Sequence, residues 1–328
     1  MSQARRVLVT GGGGYLGSQV VAALARAPTE GGCVVSLDVR ETPAERRLPG
    51  ATYAAADIRD RARIESLLRG HRIATVVHLA AIVTPGKKAD REFEYQVDVV
   101  GTKNVLDACL AAGVRHVVIS SSGAAYGYHA DNPAWLTEAD AIRGNEAFAY
   151  SWHKRLVEEM LADYRVSAPQ LQQTVFRIGT ILGETVANQI TALFDKPRPL
   201  AIAGSDSPFV FIWDHDVVGA IVHALDGGAP GIYNVAGDGA LTIHQIAARM
   251  GKRCLVLPPW LLQAALWIGK RLALTQYGPE QLRFLRYRPV LANARLKEVF
   301  GYVPCKTSTE VFDLWWAARR KRASREAR

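Results

Sequence analysis

Short apolar runs alternate with longer helical patterns through the first half of the chain. The run at 7–10 is followed by apolar residues at helical spacing over 14–27, where Pro28 stops the pattern. The alternation continues with strands predicted at 33–37, 51–54, 75–79 and 116–120, and helices at 60–68, 91–112 and 148–162. Strands separated by helices form right-handed βαβ units around a parallel sheet. The pattern therefore predicts an α/β fold.

The rhythm loosens after residue 178. A strand at 209–212, a helix at 214–225 and a strand at 232–235 still resemble sheet elements, and mostly helical patterns remain from residue 241 onward. We predict a first domain over 1–178 to which elements near 209–236 return. A smaller, mostly helical substrate-binding part is predicted over 179–328.

Composition narrows the class of protein. Apolar residues make up 49% and charged residues 22%, which is ordinary globular usage and excludes disordered and fibrous classes. The formal charge is +9, of which the last ten residues, 319–328, supply +5 with six cations and one anion. The C-terminal tail is therefore strongly basic and the rest of the chain only mildly so. Because the chain also has no recognisable nucleic-acid-binding motif, no nucleic-acid partner is expected.

Cysteine spacing points to a reducing compartment, and the apolar stretches are too short for a membrane span. The four cysteines are far apart and form no CxxC pair, and the histidines show no ligand spacing, so neither a metal site nor a disulfide framework is expected. The most apolar stretch, 255–274, is broken by Pro258 and Pro259 and by Lys270 and Arg271. It is too short to span a membrane, and no signal peptide is evident. We expect a cytoplasmic protein.

A glycine loop joins the first strand to the first helix. Gly11, Gly14 and Gly17 are spaced so that the backbone can turn tightly and present N–H groups to a pyrophosphate at the helix N-terminus. Asp38 ends the second strand 21 residues after Gly17, where a carboxylate would bind the ribose hydroxyls of NAD. A Rossmann-type, doubly wound parallel sheet that binds NAD is therefore predicted. NADP is disfavoured by Asp38, although Arg40 could offset its charge.

Two Tyr-x-x-x-Lys pairs occur in the chain. Tyr150 and Lys154 lie in a predicted helix, where an i, i+4 spacing places phenol and ammonium side by side. Tyr302 and Lys306 enclose Pro304, which interrupts a regular turn, so we regard that pair as a decoy. A cation beside a phenol favours the phenolate, which can take a proton from a substrate hydroxyl or return one to a carbonyl.

Ser122 follows the strand predicted at 116–120. It therefore lies at the carboxyl edge of the sheet, where α/β folds bind their ligands. Its hydroxyl can hold the same substrate oxygen that Tyr150 would protonate or deprotonate.

Taken together, these motifs resemble the extended short-chain dehydrogenase/reductase family, in its NAD-dependent epimerase/dehydratase group, over nearly the whole chain. The matching pieces are TGGGGYLG at 10–17, DIRD at 57–60, HLAA at 78–81, Gly101-Thr102 with NVL at 104–106, SSSGAAYG at 120–127, and Tyr150 with Lys154.

The resemblance implies a catalytic set of Ser122, Tyr150 and Lys154, with Lys154 also contacting the nicotinamide ribose. It implies a homodimer formed through the two long helices and a small-molecule substrate. The cofactor-binding residues we expect are Gly11, Gly14, Tyr15, Leu16, Gly17, Asp38, Asp57, Ile58, Leu79, Ala80, Ala81, Tyr150 and Lys154, with Asp57 and Ile58 beside the adenine.

The chain departs from the family pattern in the substrate half. Asp98 replaces a frequent Asn, Ile178 follows Arg177 where Pro is frequent, and His215 replaces the first of two adjacent aspartates. The region 179–208 is short and lacks the Asn-Pro-x-Gly segment of well-marked sugar epimerases.

Three functions stay open from the sequence. We prefer net oxidation or reduction of a secondary alcohol or ketone, because the short 179–208 region offers little to anchor a nucleotide and because 255–274 adds apolar surface. The alternatives are a UDP-hexose 4-epimerase or dehydratase with tightly bound NAD, and an NAD(P)-sensing protein without turnover. Ser122, Arg177 and Trp260 are the expected substrate contacts.

Overall fold

A computed structural model of the chain describes residues 5–83, 90–206, 208–272 and 278–326. The strands are β1 Arg6–Thr10, β2 Cys33–Asp38, β3 Ala51–Ala55, β4 Thr75–His78, β5 His116–Ser122, β6 Gln172–Ile178, β7 Thr180–Leu182, β8 Leu200–Ile202, β9 Phe211–Trp213, β10 Gly231–Val235 and β11 Leu255–Leu257. The α-helices are α1 Tyr15–Arg26, α2 Arg61–Gly70, α3 Arg91–Tyr95, α4 Gly101–Ala112, α5 Ala149–Ser167, α6 Gln189–Asp195, α7 Asp214–Leu225, α8 Ile243–Arg249, α9 Pro259–Arg271, α10 Gln281–Arg286, α11 Ala294–Glu298 and α12 Ser308–Glu326.

Seven strands form one parallel sheet in the order β10-β6-β5-β4-β1-β2-β3. The order reverses between β1 and β4, which is the position where doubly wound sheets bind their ligands. The central strands are apolar on both faces because helices cover both sides of the sheet. The Rossmann-type, doubly wound fold predicted from the sequence is confirmed.

Each face of the sheet has its own core. On one face, α2, α4 and α5 bury side chains such as Ile64, Val105 and Leu161. On the other face, α1 and α7 bury Val20 and Ile221. The helix pattern at 91–112 contains a π-helical stretch, Gln96–Val100, between α3 and α4, which the apolar spacing did not predict.

The C-terminal region adds a third core beside the sheet edge. β7 pairs with β9, β8 pairs with β11, and helices α6, α8 and α12 pack around Phe194, Phe211 and Trp315. The predicted strand at 232–235 is β10, which pairs with β6 in the main sheet. The run 255–274 is a short strand followed by α9, and Leu274 lies outside the described residues.

Candidate functional site

One cavity of about 970 Å³ opens at the carboxyl edge of the sheet. One wall comes from the first half of the chain and is formed by the glycine loop, the residues after β4 and β5, and the start of α5. The opposite wall comes from residues after β6, including Phe209, Phe284 and Arg288. Residues from both halves of the chain thus line a single cavity of a size that can hold small ligands.

The glycine loop is packed so tightly that larger residues do not fit. A Cβ on Gly17 would lie 2.0 Å from the carbonyl oxygen of Gly11, and Gly11 itself has φ +67°. Gly14 caps α1 and lines the cavity together with Tyr15, Leu16 and Gly17. The backbone at the start of α1 is therefore open to close approach by a ligand such as a pyrophosphate.

Asp38 lies beside this loop. Its Oδ2 accepts a hydrogen bond from the backbone N–H of Gly13 at 3.1 Å, and its Oδ1 accepts one from the N–H of Arg40 at 3.1 Å. The carboxylate is half-buried at the end of β2, while the Arg40 side chain is exposed. This placement suits a carboxylate that receives ribose hydroxyls.

The other predicted cofactor residues differ in their placement. Leu79 and Ala81 line the cavity, and the N–H of Ala80 donates to Thr10 Oγ1 at 3.3 Å. Asp57 forms an ion pair with Arg59 at 2.6 Å. The hydrogen bonds from Arg59 lower the pKa of the Asp57 carboxyl. Ile58 is buried against Gly101. Asp38, Asp57, Ile58 and Ala80 are not among the residues that line the cavity.

The hydroxyl of Tyr15 has a protein partner in the structure. It donates to Asp214 Oδ2 at 2.5 Å, which connects the glycine loop to the start of α7. Burial and this carboxylate raise the Tyr15 pKa to about 12. Tyr15 is therefore a neutral wall residue and a poor proton donor at neutral pH.

Ser122, Tyr150 and Lys154 all line the cavity. Ser122 ends β5 and caps the following 3-10 turn, accepting from Ala124 N at 3.1 Å. Tyr150 lies in the first turn of α5, and Lys154 follows one turn later.

The Lys154 ammonium is held between strand and phenol. It donates to the carbonyl oxygen of Ser120 at 2.8 Å and lies 5.6 Å from the centre of the Tyr150 ring. The side chain is almost fully buried, so its charge acts over a short distance with little screening by water. The second Tyr-x-x-x-Lys pair differs: Tyr302 donates to Asp216 at 3.1 Å, and Lys306 lies over Trp213. Neither residue lines the cavity.

Arg177 lies outside the cavity, away from the substrate contact that the sequence suggested. It is 4% exposed and ion-paired with Glu158 of α5 at 2.7 Å, and its Nη1 donates to the hydroxyl of Tyr126 at 2.8 Å. Trp260 is also outside the cavity, because it lies on the solvent side of α9 with 68% of its surface exposed.

A buried acid–histidine pair lies next to two residues of the cavity wall, Ile82 and Lys154. Asp98 Oδ2 lies 3.0 Å from His153 Nδ1, and Asp98 Oδ1 accepts from the backbone N–H of Ile82 at 2.8 Å. His153 precedes Lys154 on α5, and Ile82 lines the cavity. Asp98 and His153 are thus one feature, formed by residues 55 positions apart in the sequence.

Charged residues other than those predicted also line the cavity, among them Glu94 and Arg288. Glu94 is buried on α3, and this burial raises the pKa of its carboxyl. Arg288 lies 3.9 Å from the centre of the Phe209 ring, and burial lowers its pKa to about 9. Glu94 carries no sequence signal, whereas Arg288 belongs to a cluster of three arginines within six residues, Arg283, Arg286 and Arg288.

The described residues hold no group of three or more His, Cys, Asp or Glu side chains that could bind a metal ion. In the same ranges, no helix has the length and apolar content needed to cross a bilayer.

Comparison with known proteins defines the class. The family model for the NAD dependent epimerase/dehydratase family matches residues 7–236, which is more than half of the chain. The chain belongs to this family of NAD-dependent enzymes. The predictions of family, enzymatic nature and NAD are confirmed.

Individual relatives are more distant. An uncharacterised protein of Mycobacterium tuberculosis is 26% identical over 316 residues, which cover 95% of this chain and 84% of that protein. UDP-glucose 4-epimerase of Yersinia pestis is 28% identical over 284 residues, covering 76% of this chain and 82% of the enzyme. The structure of Thermus thermophilus UDP-glucose 4-epimerase in complex with NAD has a TM-score of 0.71 at 25% identity, covering 96% and 99% of the two chains.

Proposed function

We propose that this chain is an NAD-dependent oxidoreductase acting on a secondary alcohol or ketone. The observation that carries the proposal is the joint placement of Ser122, Tyr150 and Lys154 in one cavity with the glycine loop. NAD, when bound along that loop, supplies the acceptor or donor of a hydride. Gly14, Gly17 and Asp38 would hold its pyrophosphate and ribose.

Tyr150 would be the acid/base of the reaction. In the oxidative direction its oxygen takes the proton of the substrate hydroxyl, and in the reductive direction its O–H donates a proton to the carbonyl oxygen. The Lys154 ammonium would place its positive charge beside the Tyr150 ring, and its hydrogen bond to the carbonyl oxygen of Ser120 keeps it at the end of β5. Ser122 would donate a hydrogen bond to the same substrate oxygen and so fix its position.

An aromatic cluster at the cavity wall favours a less polar ligand. Tyr128, Phe148 and Phe284 meet edge to face at the cavity wall, with ring centres 5.0 and 5.2 Å apart around Tyr128. Such a wall binds apolar rings or chains by excluding water from them. The support expected from Trp260 is absent, because that residue lies outside the cavity.

The test is Tyr150→Phe, with Tyr302→Phe as the matched control from the second Tyr-x-x-x-Lys pair. NADH formation or consumption is followed with a panel of secondary alcohols and ketones. We expect kcat of Tyr150→Phe to fall by about 10²–10⁴ while NAD affinity stays within a few-fold, and Tyr302→Phe to keep the parent activity. More than about a tenth of the parent kcat in Tyr150→Phe would refute the acid/base role.

A UDP-hexose 4-epimerase is the second candidate. Its support comes from the relatives that carry this name and from Arg288, a cation in the substrate half that can bind a diphosphate. Purified protein without added NAD is incubated with UDP-glucose, and the products are separated by chromatography. Formation of UDP-galactose would favour this candidate over net oxidation or reduction.

A further inference from the structure

Strand β11 and helix α9 form an exposed apolar face, which we call the β11–α9 face (Leu255–Arg271). No residue of α9 is buried, although eight of its thirteen residues are Trp, Leu, Ile or Ala. Trp260 and Trp267 are 68% and 56% exposed, and Leu261, Ile268, Leu255 and Val256 are exposed with them. A soluble protein seldom leaves such a contiguous set of large apolar side chains in water, so this face is a candidate for binding.

The exposed residues follow helical spacing. Trp260, Ala264 and Trp267 are separated by four and three residues and therefore share one side of α9, and Leu261, Ala265 and Ile268 form the adjacent stripe. All six are exposed. The helix thus presents an apolar band about two residues wide to solvent.

Charge is segregated around this band. Residues 239–279 contain five Lys or Arg and no Asp or Glu. Arg253 is exposed just before β11, and Lys270 and Arg271 form the last turn of α9. Lys270 also forms an ion pair with Glu280 at 3.5 Å, and Arg271 lies 5.8 Å from the centre of the Trp267 ring. Both ends of the face are therefore basic.

The length of α9 determines how it can meet a membrane. Thirteen residues make a helix of about 20 Å, which is shorter than the hydrocarbon core of a bilayer. A short helix with an apolar band, two tryptophans and basic ends suits binding in the plane of the lipid headgroups. A second copy of the chain fits less well, since a two-fold contact would bring the same cations together.

We propose that the β11–α9 face docks on a bilayer that contains anionic lipids. The tryptophans and leucines enter the boundary between headgroups and acyl chains, while Arg253 and Arg271 contact the phosphates. Lys270 lines the cavity, so the docked face lies beside the cavity mouth. This proposal concerns binding alone and does not depend on the reaction at Tyr150.

The test is vesicle flotation of the full chain. Vesicles of phosphatidylcholine with one quarter phosphatidylglycerol are compared with pure phosphatidylcholine vesicles. We expect the chain to float with the anionic vesicles and less with the neutral ones, and high salt to weaken the binding. The double variant Trp260→Gln/Trp267→Gln should reduce the bound fraction at least tenfold, whereas Trp135→Gln, at an exposed tryptophan outside the face, should not.

Three outcomes would overturn the proposal. One is failure of the parent chain to float with the anionic vesicles. Another is equal binding by the double variant and the parent, which would assign binding to another surface such as the basic end of α12. The third is self-association of the parent through this face. Light scattering would then show an oligomeric parent and a monomeric double variant, and neither chain would bind to vesicles. Quenching of tryptophan fluorescence by lipids with brominated acyl chains, lost in the double variant, would support insertion, and circular dichroism checks that the variant is folded.

Discussion

Replacing Arg177 tests whether this residue is a structural ion pair or a substrate contact. The guanidinium donates to both carboxylate oxygens of Glu158 at 2.7–3.1 Å, and both side chains are 5% exposed. Tyr126 receives a further bond from it, and the hydroxyl of Ser121 donates to Glu158. The pair therefore joins β6 to α5 and, through Ser121, to β5. Strand β5 and helix α5 are the elements that carry Ser122, Tyr150 and Lys154.

The geometry sets the size of the effect. Arg177→Met leaves the Glu158 carboxylate buried without its cation, which should cost about 3–5 kcal/mol of unfolding free energy. Glu158→Met leaves Arg177 buried without its anion and should cost a similar amount. The double variant replaces both charges by apolar side chains of similar length, so its cost should fall short of the sum by at least about 2 kcal/mol.

The assay is urea unfolding followed by circular dichroism, with the slope of the transition compared among variants. Arg155→Met is the matched control, because Arg155 forms an ion pair with Glu159 on the exposed side of the same helix. Its loss should change stability by less than about 1 kcal/mol. Single variants that cost less than about 1 kcal/mol, or a double variant equal to the sum, would refute the reasoning.

Three further predictions concern Asp38, Asp98 and His78. Asp38→Ala should weaken NAD binding about tenfold and narrow the preference for NAD over NADP, measured by titration of both cofactors; an unchanged preference would remove Asp38 from cofactor selection. Asp98→Ala should destabilise the fold by about 1–3 kcal/mol in urea because it leaves the N–H of Ile82 and the ring of His153 without their partner, whereas Asp98→Asn should recover most of this loss. Burial and the nearby Lys154 charge lower the His78 pKa to about 3, so the unfolded chain binds a proton below about pH 6.5 that the folded chain does not. The free energy of unfolding should therefore decrease as the pH is lowered below about 6.5, by up to about 1.4 kcal/mol per pH unit from this group. His78→Gln should make this dependence of stability on pH less steep.

The placement of Ser122, Tyr150 and Lys154 at one cavity could be predicted because their positions are set locally. The apolar run of β5 stops before its three serines, which indicates where the strand ends. Ser122 is the last residue of this strand, so its position can be predicted from that end. The i, i+4 spacing on a helix without proline fixes Tyr150 relative to Lys154. The glycine loop is similar, since the contact between Gly11 and Gly17 spans only six residues.

Arg177 and Trp260 could not be placed in this way. Arg177 lies near the end of β6, as many ligand-binding residues do, but its direction depends on how α5 packs against that strand and brings Glu158 to it. Trp260 lies on a helix whose spacing is compatible with burial on either side. Apolar periodicity defines a face of a helix, whereas only tertiary packing decides whether that face meets the core or solvent.

The two walls of the cavity also differ in how far the family accounts for them. The family match ends at residue 236, so it includes the glycine loop, Ser122, Tyr150 and Lys154 but not Phe284 or Arg288. The second wall is divided, because its residues between 178 and 210 lie within the match and those between 270 and 291 lie beyond it. Selection among substrates requires contacts that differ between candidate ligands. Substitutions at Phe284 and Arg288 should therefore change kcat/KM among substrates more than they change NAD affinity, because these side chains line the cavity but lie beyond the family match that contains the glycine loop.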